Sequence, residues 1–170
     1  MGNSKSMPRI TFIRHIGSTV WEIKSVNCPL NDLSSVDDIL VSPTSPGTCL
    51  LNELGKRGFN IRKANFHHDQ DKAANRVAVE YEPRAHHKHQ FVYIAQSPQT
   101  TLDESRIVTR SNGWSLMRYI VEEADVSQAI MKQTIQWDKI HHHYLLLYYD
   151  PNVGFIKHLD HKIACRQHVL

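Results

Sequence analysis

Arg14 and His15 stand side by side after the branched and aromatic run Ile10 to Ile13, a fixed cation next to an imidazole that can accept or give a proton near neutral pH. Histidine is abundant, with twelve in 170 residues. His86, His87 and His89 form one cluster, His141 to His143 a second, and His158 and His161 stand about one helical turn apart. Tetrahedral zinc needs four ligands, and no cysteine lies at ligand spacing from these histidines, so solvated or capping roles are expected, with no metal and no cofactor. Their protonation near pH 6 would add up to 12 charges to a net charge of +3. A G-x-S-x-G elbow, a P-loop and a G-x-G-x-x-G fingerprint are all missing from the sequence.

The elements that must position Arg14 and His15 read as alternating strands and helices. Ile10–His15 is β-type, and Asp38–Ser42 is a second short buried strand closed by Pro43. Pro46 to Gly58 carries helical start and stop signals around Cys49, Leu50 and Leu54. Arg76–Glu82 and Gln90–Ala95 read as strands. Trp114–Trp137 repeats apolar residues at Leu116, Met117, Ile120, Val121, Ala124, Ile130, Met131 and Ile135, which is helical spacing. Tyr144–Tyr149 reads as a strand covered on both faces, and Phe155, Ile156, Leu159 and Ile163 mark a final helix. The alternation predicts an α/β layered domain over 10–170, its mostly parallel sheet flanked by helices and holding Ile10–Ile13, Ile39–Val41 and Leu145–Tyr148. In such sheets, functional loops follow the carboxyl ends of strands, here after Ile13, Val41 and Tyr149.

Composition bounds the function. The length predicts one domain with enough chain for a core. Scattered Lys and Arg, with no basic run interleaved with aromatics, speak against nucleic acid as a partner. Cys28, Cys49 and Cys165 are widely spaced with no C-x-x-C, as reduced thiols of a cytoplasmic protein would be. Residues 1–9 read as a flexible N-terminal segment. Met1-Gly2-Asn3-Ser4-Lys5-Ser6 fits the pattern for myristoylation of Gly2. One such chain gives marginal, reversible membrane binding, and Lys5 and Arg9 add only about 1 kcal/mol each against an anionic leaflet.

Four segments, in order, resemble the histidine phosphatase superfamily, which includes the phosphoglycerate mutases, over roughly half the chain. Phe12-Ile13-Arg14-His15-Ile16-Gly17-Ser18-Thr19-Val20-Trp21 is similar to the family's strand ending Arg-His-Gly, and Cys28-Pro29-Leu30-Asn31-Asp32-Leu33 to its Pro-Leu-Thr-x-x-Gly segment. Ile39-Leu40-Val41-Ser42-Pro43-Thr44-Ser45-Pro46 resembles the strand entering Ser-Pro-Leu-x-Arg. Leu145 to Asp150, continuing to Lys157, resembles the late strand ending His-Gly-Gly.

The resemblance implies Arg14 as phosphate ligand and His15 as nucleophile, in a degenerate pocket. Ile16 stands where the family's glycine follows, Pro46 where its second arginine does, and Asp150 where its second histidine does. Losing one preorganised donor typically costs about 3–4 kcal/mol. A carboxylate facing phosphate repels it by about 4 kcal/mol at 4 Å and an effective dielectric near 20. Together these would remove roughly five decades of rate. Asp69, Glu80 and Glu82 lie in the right part of the chain for a proton donor, and none is singled out. The expectation is a catalytically impaired pseudoenzyme that binds a phosphorylated small molecule or a protein partner. Two alternatives stand beside it: a weak phosphatase using His15, and a myristoylated membrane-associated structural or adaptor protein with no tie to phosphatases.

Overall fold

The computed structural model describes residues 7–37, 39–40, 48–69, 71, 73–84, 89–96, 103–111, 114–121, 146–150 and 154–158. In chain order its elements are β1 (Arg9–His15), β2 (Val20–Asn27), α1 (Leu30–Leu33), β3 (Ile39–Leu40), α2 (Thr48–Lys56), β4 (Ile61–Asp69), β5 (Ala74–Tyr81), β6 (Phe91–Gln96), β7 (Ile107–Ser111), β8 (Trp114–Ile120), β9 (Leu146–Asp150) and β10 (Gly154–His158). They form a five-stranded sheet in the order β3-β2-β1-β5-β4, a three-stranded sheet β6-β8-β7 and a hairpin β9-β10. Each of these pairings is antiparallel.

The expected mostly parallel α/β sheet is therefore corrected. Only Ile16 to Thr19 link β1 to β2, and a parallel return needs a crossover of a dozen or more residues. The α/β alternation came from passing over β2, β4 and β7 as strands.

The described parts of two expected helices are also strands. β8 buries Leu116 against the main core while Met117 and Tyr119 join a second cluster with Val92 and Ile94. Burial on both faces erases the alternation of period two, and the apolar pairs then mimic a helical stripe. Residues 122–137 of that expected helix lie outside the described residues. The expected final helix begins instead with β10, in which Gly154 pairs with Asp150 and His158 with Leu146.

The strands Ile10–Ile13, Ile39–Leu40 and Leu146–Tyr148 and the helix of 48–56 lie where the sequence places them. The main core is shared by both larger sheets and α2. Ile10, Phe12, Val77, Val79 and Tyr81 from the five-stranded sheet meet Leu50, Leu51 and Leu54 of α2 and Phe91, Tyr93, Val108 and Leu116 of the three-stranded sheet. Asn52, buried on α2, fixes β6 by accepting from the Tyr93 amide at 2.9 Å and donating to its carbonyl at 3.5 Å. At Gly55, α2 comes so close to β6 that a Cβ would fall on the Phe91 carbonyl oxygen.

At the outer side of β2 the ladder with β3 covers only Val20 and Trp21. Along β1 the register shifts so that Lys24 is the extra residue between Ile23 and Ser25. A bulge carrying a lysine blunts such an edge against further strand pairing.

Cys28 is a free thiol, but Cys49 is disulfide-bonded, which corrects the expectation of wholly reduced cysteines. Among the described residues no helix is long and apolar enough to cross a membrane.

Candidate functional site

β1 keeps its full ladder to its last residue. Arg14 pairs with Asn75 and His15 with Ala74 of β5. Side chains alternate along a strand, and here even-numbered Ile10, Phe12 and Arg14 point into the core while His15 is exposed on the other face. The chain turns immediately afterwards: the Ser18 amide donates to the His15 carbonyl at 2.9 Å, and Gly17 takes a φ of 88°. That is a β-turn with glycine where a positive φ is required, so the glycine one place late in the motif serves a hairpin.

The two residues expected to work together are thus separated by the sheet. Arg14 is 5% exposed and its guanidinium lies 4.9 Å from the centre of the Trp21 ring. Burial lowers its pKa to about 10. His15 shares the solvated face with Arg76, diagonal to it on β5, and with Asp69, which also pairs with Ala74 from the far side.

Leu40 pairs with Val20 at the same end of the sheet as His15, but Pro46 lies outside the described residues. Asp150 ends β9 in the separate hairpin sheet. Gly2, His86, His87, His141 to His143, His161 and Cys165 also lie outside the described residues.

The three proton-donor candidates lie in ion pairs with arginines. Asp69 lies 3.8 Å from Arg76, Glu80 3.4 Å from Arg9, and Glu82 2.8 Å from Arg62. Among the described residues no three His, Cys, Asp or Glu side chains gather as a metal would require.

Two polar clusters were not legible in the sequence. In the first, Tyr81 donates to Asp32 at 2.6 Å, and the Arg84 guanidinium stands 3.8 Å from the same carboxylate. Arg84 also lies 4.0 Å over the Phe59 ring and donates to the Arg57 carbonyl at 2.8 Å. Burial, then the bonds to Asp32 and Cys28, push the Tyr81 hydroxyl far above its ordinary pKa, so it stays a donor. Every charge in this group has a neighbour of opposite sign, which marks it as a structural tie between α1, β5 and the segment after β5.

The second cluster gathers Arg62 of β4, Arg106 just before β7, and Arg118 of β8. Burial lowers the Arg118 pKa, the charges of Arg62 and Arg106 lower it further, and Tyr93 and Glu82 act in the opposite direction. No spacing signal announces it: Arg62 comes from another sheet, and Arg106 faces Arg118 only because β7 and β8 form a hairpin with Ile107 opposite Met117.

In comparisons with known proteins, no family model, no curated protein and no solved structure matches the chain.

Proposed function

We propose that this chain is a non-catalytic binding protein that a myristoyl group on Gly2 holds reversibly at a membrane, where it engages a protein partner or a phosphorylated ligand. The observation that carries the non-catalytic part is the antiparallel ladder through Arg14 and His15. A nucleophile and its phosphate ligand must converge on one group within hydrogen-bond reach. A sheet stands between these two. The lipid part rests on Met1-Gly2-Asn3-Ser4-Lys5-Ser6.

The alternative, a weak phosphatase built on His15, has one observation in its favour: Arg76 lies diagonal to His15 on the solvated face. A tie to the histidine phosphatases rests on motif order alone and draws no support from antiparallel sheets. Acylation of Gly2 belongs to the cytoplasm, whereas the disulfide at Cys49 is characteristic of oxidising compartments.

Co-expression with an N-myristoyltransferase tests the lipid directly. The protein should gain one myristoyl mass and partition partly onto vesicles, and Gly2→Ala should abolish both. An unmodified wild-type protein overturns the membrane reading.

A further inference from the structure

At the seam between the two larger sheets, the Tyr93 hydroxyl accepts from the Ile61 amide at 2.9 Å and donates to the Phe59 carbonyl at 2.9 Å. This clamp sets the start of β4 against β6. Arg62 follows Ile61 at a register shift in β4, and Arg118 sits directly opposite Tyr93 on β8. Arg106 donates to the Arg118 carbonyl at 3.4 Å, with its guanidinium 5.1 Å from the Tyr119 ring centre. Arg62 and Arg118 are thereby brought to one seam, and Arg106 lies at the edge of β8, bonded to the Arg118 backbone and resting on Tyr119 of the other face.

Arg62 and Arg106 each have an acidic neighbour. Glu82 is bonded by Arg62 at 2.8 Å, and Asp103 lies 3.4 Å from Arg106. Arg118 has a long 3.4 Å bond from Nη2 to the Ser105 carbonyl, while its Nη1 is buried with no hydrogen-bond partner. A buried donor left unmade is costly, and like charges facing each other across strands add to the cost. Proteins retain such an arrangement at functional sites, where a ligand supplies the missing acceptor and charge. Arg62 and Arg106 remain partly exposed, at 37% and 22% for their side chains, so the cluster opens to solvent.

We propose that Arg62, Arg106 and Arg118 form a binding site for a phosphate-bearing anion, with Arg118 Nη1 as its innermost donor. Planar guanidinium forks match phosphate oxygens two at a time, and several of them converging favour a dianion over chloride. The anion can be a soluble phosphate monoester or the headgroup of a phosphorylated lipid. The site involves neither Gly2 nor β1, so it stands or falls separately from the function proposed above.

The test uses the unacylated full chain, so that no lipid anchor contributes. Inorganic phosphate and a soluble inositol phosphate are titrated by calorimetry against ionic-strength-matched chloride. Phosphatidylcholine vesicles with and without a phosphatidylinositol phosphate form the second arm. Saturable phosphate binding is expected, weakened about ten- to hundredfold in Arg118→Gln and also weakened in the more exposed Arg62→Gln. Binding in the soluble arm assigns a free phosphate monoester, and binding confined to the phosphorylated vesicles assigns a lipid headgroup. In chloride alone Arg118→Gln should melt no lower than wild type, because it removes a repelled charge. Binding no tighter than chloride in both arms, or binding undiminished in both variants, overturns the site. A clear drop in the melting temperature of Arg118→Gln in chloride also overturns it, making that guanidinium structural.

Discussion

On the inner face of the five-stranded sheet, Ile10, Phe12, Val77, Val79 and Tyr81 are almost wholly removed from water, whereas the outer face presents Arg9, His15, Lys63 and Asn65 to solvent. Antiparallel sheets commonly divide their faces this way. On the inner face Tyr81 bonds Asp32 and the Arg14 guanidinium rests on the Trp21 ring. Around His15 the described ion pairs are long, with 3.8 Å between Arg76 and Asp69. Preorganised donors are what phosphoryl chemistry requires, and these paired groups lie on the face of the sheet away from His15.

The contrast is most exposed to test at Phe12. Phe12→Ala should cost about 3–5 kcal/mol in denaturant unfolding, because it removes a fully buried ring between β1, β5 and α2. A loss under 1 kcal/mol would mean that the inner face is not packed as described.

A smaller effect is expected at the buried hydroxyl. Tyr81→Phe should cost about 1.5–3 kcal/mol, since it removes a donor to a buried carboxylate. It also carries a pH signature. Tyr81 and Tyr93 hold their protons in the folded chain beyond the pH near 10 at which an unfolded tyrosine ionises. The unfolded state then binds fewer protons, so stability falls as pH rises through about 10 and above. Arg14, lowered to about 10, and Arg84 and Arg118, also lowered by burial, act in the opposite sense, so the tyrosine contribution is read from the difference between wild type and Tyr81→Phe. Tyr81→Phe should flatten the alkaline decline, and an unchanged slope would remove Tyr81 as its source.

Gly55→Ala should destabilise by about 1–2 kcal/mol, although alanine is the better helix former. The overlap with the Phe91 carbonyl outweighs the roughly 1 kcal/mol gained in helix propensity. A stabilised variant would show that α2 stands further from β6.

Burial on two faces did not decide legibility by itself, since β6 is buried on both and reads as a strand while β8 does not. β1 and β5 alternate cleanly, and α2 carries both its helical stripe and its flanking Pro and Gly, so each was legible. β8 buries residues on both faces, and its apolar pairs took on helical spacing. β2 exposes every residue after Trp21, which left no hydrophobic pattern to mark it as a strand. Missing β2 had the largest consequence. With only four residues between His15 and the next strand, the motif around Arg14 becomes a hairpin, and β1 and β2 cannot be parallel neighbours. The arginine cluster was hidden for another reason: its members meet only through the pairing of strands far apart in sequence.

The smallest structural effect should belong to His15, and with it the most direct test of the account. His15→Ala should leave stability within about 0.5 kcal/mol, as expected for an exposed side chain. Hydrolysis of an aryl phosphate is then measured for wild type, His15→Ala and Arg14→Gln in parallel. The account predicts that wild type barely exceeds the uncatalysed rate and that neither substitution changes it. A wild-type turnover well above that rate, abolished by His15→Ala and again by Arg14→Gln, would show the two residues acting on one phosphate and would contradict their placement on opposite faces of the sheet.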